Sequence, residues 1–208
     1  MTELQITSQG ATLQGTGHLS GELQYFVRLS GCKLLSCYLR PVCDEVFSLS
    51  ARAGHSYDVE TILSRALAAV GEGGWLHITG GEPTDNPLLF PFIEMARERG
   101  LKVHLQTHGG NDVPVGATDW LTVSPKVPLD KLKVRDRLQG EMVLVFDGQP
   151  LDEMAELHKG TAFAHYFLQP KWVEGHPVGS ITHPIKELAK LGSAWRGAIQ
   201  AHKYWRCS

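Results

Sequence analysis

The chain lacks long apolar runs: nothing in its 208 residues approaches the stretch of roughly 20 that a membrane-spanning helix needs. Met1-Thr2-Glu3-Leu4-Gln5 has neither the basic nor the apolar region of a signal peptide. Charge of one sign is also missing. Lys plus Arg number 20 and Asp plus Glu 22, a formal net charge of −2, with no basic tail and no block of like charges. A nucleic-acid surface is therefore not expected, nor a membrane partner. No internal repeat and no low-complexity linker breaks the chain, so a single domain spanning residues 1–208 is expected. Cysteines are few, four in all, and a cytoplasmic, reducing location follows by default. In that setting gathered cysteines point to metal binding or catalysis more than to disulfides.

Three of the four cysteines do gather, in Gly31-Cys32-Lys33-Leu34-Leu35-Ser36-Cys37-Tyr38-Leu39-Arg40-Pro41-Val42-Cys43-Asp44, directly after the apolar segment Leu23–Leu29. Buried structural cysteines usually sit on apolar strands and helices, whereas these lie among Lys33, Ser36, Arg40 and Pro41. A structural zinc would need a fourth ligand, from Cys207 or a histidine, and the paired C-x2-C knuckles of most zinc modules are absent. Three thiolates holding an iron–sulfur centre with one iron left open need no further ligand. Spacing alone leaves these readings side by side, with residues 31–50 as the candidate cluster loop.

Around the loop, strands alternate with helices. Strands are predicted at 3–7, Leu23–Leu29, Trp75–Thr79, Leu101–Thr107, Trp120–Val123, Glu141–Phe146, His165–Leu168 and Arg196–Ala201. Helices are predicted at Val59–Val70, capped by Asp58, and at Pro87–Arg99, Leu151–His158 and Pro184–Leu191. Most strands end in a small or polar motif: Gly80-Gly81-Glu82-Pro83, Gln106-Thr107-His108-Gly109, Ser124-Pro125-Lys126, Gln169-Pro170-Lys171 and His202-Lys203-Tyr204. Parallel α/β sheets collect ligands at their carboxyl strand ends. The chain is short for a full eightfold barrel and some strands lack a helix between them, so the expected fold class is α/β, a partial, open barrel with reduced helices.

These motifs, in this order, resemble the 7-carboxy-7-deazaguanine synthase family of the radical S-adenosylmethionine (SAM) superfamily. Leu13-Gln14-Gly15 is similar to that family's LQGEG turn, Arg28 with Gly31-Cys32 to its strand-to-cluster junction, and Cys43-Asp44 to its CDT element. Thr79 to Pro83 matches TGGEP, Thr107 and Gly109 match ETNG, and SPK, QP and HKY follow at 124–126, 169–170 and 202–204. The resemblance implies a [4Fe–4S] cluster on Cys32, Cys37 and Cys43, SAM held by Asp44, Gly80, Gly81, Glu82, Ser124, Pro125, Lys126 and Gln169, and Mg²⁺ near Glu45. It implies 6-carboxy-5,6,7,8-tetrahydropterin as substrate, read by Leu13, Gln14, Gly15, Thr79, His202 and Ser208, with Arg28 on its carboxylate. The implied reaction is a radical ring contraction that releases ammonia, a lyase step of queuosine-type 7-deazapurine synthesis. A flavodoxin-like reductant and a homodimer are implied by the same resemblance.

The chain departs from the family pattern at chosen places. Its cysteine spacing is C-x4-C-x5-C rather than C-x3-C-x2-C, so residues 38–42 must bulge, and Pro41 suits a fixed turn there. Glu45 replaces the threonine of CDT, Thr16 the glutamate of LQGEG, Gln106 the glutamate of ETNG and His108 its asparagine. A diverged enzyme on a related pterin or purine, and a non-catalytic zinc-stabilised binding module, are the alternatives these departures leave.

Overall fold

The computed structural model describes residues 3–43, 45–173 and 175–205. Seven strands run parallel and neighbour one another in chain order: β2 (Leu23–Leu29), β4 (Trp75–Gly80), β5 (Lys102–Thr107), β6 (Trp120–Val123), β7 (Asp136–Phe146), β8 (Ala162–Val173) and β10 (Trp195–Gly197). On the β2 side the sheet continues antiparallel through β1 (Glu3–Leu13) to β3 (His55–Asp58). A short β9 (His176–Val178) folds back on β8. The sheet does not close: β3 and β10 are its two edges. This is the open, partial barrel that the sequence led one to expect.

The strands carry a period-two code that explains the layering. In β4 to β6, Leu76, Ile78, Val103, Leu105, Leu121 and Val123 belong to the apolar core, while their alternates His77, Thr79, His104, Gln106, Thr122 and Ser124 are polar. The apolar set meets helices on the outside, each fully buried Leu or Ile contributing about 1.5–3 kcal/mol. Helix α1 (Val59–Val70) buries Val59, Ile62, Leu63 and Ala66. Helix α2 (Leu89–Glu98) buries Leu89, Phe92, Ile93 and Ala96. The N-terminus of α1 is fixed by Asp58, whose carboxylate accepts from Thr61 N at 3.2 Å. Helix α3 (Leu151–Lys159) bridges β7 and β8, and α4 (Thr182–Lys190) precedes β10. Among the described residues no α-helix lies between β5 and β6 or between β6 and β7, only a 3-10 turn at Leu129–Lys131; Val113, Leu132 and Val134 from those connections join the apolar core instead. None of the described helices is long and apolar enough to cross a membrane.

Several sequence-based boundaries shift. Strand β1 runs to Leu13, not to residue 7, because it pairs with all of β2 on one side and with β3 on the other. The short β3 and β9 carry too few residues to register as alternating patterns. Strand β8 extends through Gln169, Pro170 and Lys171, so that motif lies inside a strand rather than after one. The last strand, expected over Arg196–Ala201, ends at Gly197, and Ala201 instead opens a short helix, α5 (Ala201–Trp205), so His202-Lys203-Tyr204 rides on a helical turn. Nothing along 196–201 signals a break, but Ala201 N donates to Gly15 O at 2.7 Å, a tertiary bond that starts the turn there.

Candidate active site at the strand ends

Four of the polar alternates, His77, Thr79, Gln106 and Ser124, and the cysteine loop face one cavity of about 530 Å³. Its wall includes Cys32, Cys37 and Cys43 from the loop, Arg28 from β2, Thr79 to Glu82 from β4, Ser124 and Lys126 after β6, Gln169 from β8 and His202 from α5. Leu13, Gln14, Gly15 and Glu45 complete it. Of the residues singled out in the sequence, Pro125 does not line the cavity, and Asp44 and Ser208 lie outside the described residues.

The loop is anchored at its start. Gly31 N donates to Ser48 O at 2.8 Å, Cys32 N to Leu49 O at 3.1 Å, and Gly31 O accepts from Glu82 N at 2.8 Å. Lys33 N donates to the Asp85 carboxylate at 2.7 Å. The widened second gap has an outlet: Pro41 sits in a single 3-10 turn, Arg40–Val42, and Tyr38 crosses to the end of β7. Its hydroxyl donates to Val145 O at 3.4 Å and accepts from Gln149 Nε2 at 3.2 Å. Burial pushes the Tyr38 phenol up to about 12, so it remains a hydrogen-bonding hydroxyl.

None of the three thiols is in a disulfide. Burial, followed by the charges of Glu82, Asp85 and Cys37, raises the Cys32 pKa, so this thiol keeps its proton until a metal displaces it. Among the described residues no three Cys, His, Asp or Glu side chains yet converge tightly enough to hold a metal ion. The donor set still suits an iron–sulfur cluster, because three half-buried thiols of one loop border the same cavity and metal binding commonly draws such ligands together.

The glycines have a sharper role than close approach to a ligand. A Cβ on Gly80, whose φ is +151°, would lie 2.1 Å from Leu29 O, and one on Gly81 would lie 2.4 Å from Gly31 O and 2.6 Å from Ser48 O. They let β4 end against the backbone that carries the first cysteine. Glu82, 2% exposed, is taken up by the protein: it accepts from Thr84 Oγ1 at 2.6 Å, Thr107 Oγ1 at 2.6 Å and His108 N at 2.8 Å. It brackets the ends of β4 and β5. The residue at the asparagine position joins the same bracket, with His108 Nε2 3.5 Å from Glu82 Oε2 and Nδ1 accepting from Gly110 N.

The turn after β1 reaches across to the far side. A Cβ on Gly15 would strike the His202 ring at 1.8 Å, so glycine is what lets α5 seat against it. Thr16 Oγ1 donates to Gln169 Oε1 at 2.5 Å, which uses the carbonyl of that side chain and not its amide N–H groups. On α5, Lys203 lies 4.9 Å over the Trp172 ring and Tyr204 meets Trp172 edge-on at 5.3 Å. Lys126 folds back onto Ser124, with Nζ 2.6 Å from Oγ. Arg28 and Glu45, read separately from the sequence as carboxylate and Mg²⁺ partners, are here paired with each other at 2.5 Å.

Sequence reasoning passed over His77, Gln200, Lys171 and Trp172, all of which line the cavity. The signal for His77 was present: it stands two residues before Thr79 on one strand, hence on the same face. Burial drives His77 down to about 3 and holds His104 well below its usual range. Both are therefore neutral when folded and protonated when unfolded in acid. The unfolded chain then binds more protons, so stability falls as pH drops from about 6.5 toward 3, by up to about 1.4 kcal/mol per pH unit for each histidine. Glu141, whose pKa is raised by burial, works the other way above about 4.5. Thermal melts of the protein across this window should show a falling Tm on acidification, and a flat profile would contradict the two neutral histidines.

An open parallel barrel with a polar-floored cavity at the strand ends is the architecture of an α/β barrel enzyme. Three relatives align over nearly the whole chain, each a 7-carboxy-7-deazaguanine synthase. That of Nitratidesulfovibrio vulgaris is 31% identical, covering 93% of this chain and 94% of its own. That of Prochlorococcus marinus is 30% identical over 98% and 97%, and that of Escherichia coli K12 is 24% identical over 96% of each. The crystal structure of QueE from Escherichia coli superposes with a TM-score of 0.66 at 20% identity, covering 96% of this chain and 95% of that one. No family model matches the chain. The chain belongs to the 7-carboxy-7-deazaguanine synthase family.

Proposed function

We propose that this chain is a radical SAM lyase that converts 6-carboxy-5,6,7,8-tetrahydropterin to 7-carboxy-7-deazaguanine with loss of ammonia. The observation that carries the reading is one cavity of about 530 Å³ bordered at once by the three loop thiols, the β4 glycines and Arg28. That volume suits a bicyclic substrate beside a cofactor end. Bound cluster and SAM would supply one-electron cleavage of the sulfonium and the hydrogen abstraction that starts the ring contraction.

The chain's own residues do the rest. Cys32, Cys37 and Cys43 hold the cluster. Gly80, Gly81, Ser124, Lys126 and Gln169 border the SAM end, with Asp44 as a further SAM contact, while Pro125 shapes the turn between Ser124 and Lys126 without lining the cavity. Glu82 serves that end by fixing the loop and strand termini, since its oxygens are already filled. Arg28 meets the substrate carboxylate, a pairing its planar fork suits. Leu13, Gln14, Gly15, Thr79 and His202 border the pterin, with Ser208 as the C-terminal contact. Glu45 offers Mg²⁺ a hard oxygen. A flavodoxin-like reductant, a homodimeric state and a cytoplasmic setting complete the proposal.

The test is anaerobic incubation of reconstituted protein with SAM, reductant and the carboxytetrahydropterin. Formation of both 5′-deoxyadenosine and the deazaguanine acid is the expected result. Deoxyadenosine without that acid would reject the substrate and keep the superfamily. A colourless protein holding one zinc, indifferent to air, would reject both.

A further inference from the structure

Below Thr79 on the inner face of β4, the cavity floor contains a histidine that none of the motifs includes. His77 is 7% exposed, yet its side chain borders the cavity. It is held rather than loose. Its ring stacks on that of His104, centroids 4.1 Å apart and planes 10° from parallel. His104 is itself immobilised, with Nδ1 3.0 Å from Gln24 Oε1 and Nε2 2.9 Å from Thr122 Oγ1. Thr122 Oγ1 in turn donates to the buried Glu141 carboxylate at 2.8 Å. A fixed column of polar groups thus runs up the barrel interior and ends at His77.

The end of the column is unfinished. His77 Nε2 is a buried polar atom with no hydrogen-bond partner among the described residues. Burying such a group without a partner costs about 1–3 kcal/mol, and native proteins rarely keep one without a use. The ring is neutral, because burial and the nearby Arg28 guanidinium both oppose its protonation. Gln106, two residues past His104 on the same strand face, lies beside the ring and acts in the sense that favours a protonated imidazole. A neutral imidazole whose N–H turns to the Gln106 carbonyl has a single lone pair left to offer.

We infer that His77 is a substrate-contact residue whose ring nitrogen accepts a hydrogen bond from an N–H of the bound heterocycle. It fixes which edge of the bicyclic ring lies on the floor, while Arg28 fixes the carboxylate end. His104 is a positioning residue that sets the plane of the His77 ring. Gln106, where a carboxylate stands in the family motif, holds the tautomer. A ring N–H donor meets an acceptor on this floor, whereas a carbonyl or unprotonated ring nitrogen at the same place meets a lone pair and is rejected. Discrimination of this polar kind is stronger than a change of one apolar group supplies.

The inference rests on the proposed pterin substrate, and the experiment separates the two. Cluster-loaded wild-type protein with SAM and no reductant, so that no turnover occurs, is titrated anaerobically with 6-carboxy-5,6,7,8-tetrahydropterin by calorimetry. The same titration is made with His77→Phe, which keeps the ring stack on His104 without a nitrogen, and with His77→Asn, which restores an acceptor. His77→Phe should weaken binding by about 10- to 100-fold, with SAM binding and melting temperature kept, and His77→Asn should recover part of the loss. Under turnover the loss should fall mainly on KM. If His77→Phe binds the pterin as well as wild type does, the ring is only a stacking element and the inference fails. If wild type itself binds no pterin, the substrate reading fails instead. Should His77→Phe not fold, His104→Phe and Gln106→Leu read the same contact, and unchanged pterin affinity in both overturns it.

Discussion

Serine at Cys32, Cys37 or Cys43 abolishes cluster binding and, with it, all measurable 5′-deoxyadenosine formation. Among the substitutions considered, this has the largest expected effect, because the loop contributes no surplus ligand. Thiolates are soft donors matched to iron–sulfur clusters, whereas a serine hydroxyl holds its proton at neutral pH and cannot take their place. Folding should survive, since the residues that anchor the loop do so through backbone: Gly31 and Cys32 pair with Ser48 and Leu49, and Glu82 N pairs with Gly31 O. Reconstituted wild type should hold about four irons per chain and show the brown absorbance of a cluster, and each serine variant should be colourless with unchanged circular dichroism. Cys207→Ser is the control. An iron–sulfur site of three cysteines leaves it brown and active, whereas a closed zinc site using Cys207 would lose its metal. A serine variant in the loop that stays brown and cleaves SAM would remove that cysteine from the cluster.

The second large effect centres on Arg28 and Glu45. Their 2.5 Å pair is neutral as a unit. A substrate carboxylate drawn to Arg28 would place a second anion beside that one guanidinium. Two like charges about 4 Å apart repel by roughly 4 kcal/mol at the effective dielectric of a protein surface, so either Glu45 must swing away or a further cation must enter. Mg²⁺, if held by Glu45, would supply that further cation, for which a carboxylate is a suitable hard oxygen donor. Substrate and Mg²⁺ should therefore bind with positive coupling, each raising the affinity of the other by the same factor. In metal-free buffer Glu45→Gln should bind the carboxypterin about 10- to 100-fold more tightly than wild type, and its response to Mg²⁺ should largely vanish. Arg28→Met should weaken binding by about 100-fold or more, since it also strands the Glu45 carboxylate without its ion-pair partner. Calorimetric titrations with and without Mg²⁺ read both. Equal Mg²⁺ responses in wild type and Glu45→Gln would refute the coupling. Chelator-insensitive binding by wild type would remove Mg²⁺ from the site altogether.

Much of the architecture was legible because local chemistry and the fold agree. The strand Leu23–Leu29 and the helix Val59–Val70 match their predicted limits, and Asp58 caps that helix as its position suggests. The open barrel with missing helices followed from the chain's length and from strands with no clear helix pattern between them, such as those on either side of Ser124-Pro125-Lys126. The misjudged elements are those decided by distant partners. Strand β8 runs through Pro170 because its neighbour β7 pairs with it as far as Phe146. The last strand stops at Gly197 and not at Ala201, because Ala201 N bonds to Gly15 O and opens the helical turn that follows.

By itself the sequence named residues that the fold brings to the border of one cavity: thiols in one loop, small residues at strand ends, Arg28 on β2 and the Gln14-Gly15 turn. These are choices of residue type, dictated by what metals, phosphate-free cofactor ends and carboxylates can accept. Tertiary structure decided which groups remain available. Only in the folded chain do Arg28 and Glu45 spend their charges on each other, Glu82 fill its oxygens with Thr84, Thr107 and His108, and Gly81 prove necessary for backbone rather than ligand. The physical reason is that hydrogen bonds and ion pairs depend on angstrom-scale distance between elements far apart in the chain, and residue type along the chain does not encode that distance. The same closeness leaves His77, beside the familiar glycine motif yet outside it, as a buried ring at the cavity whose Nε2 has no hydrogen-bond partner among the described residues.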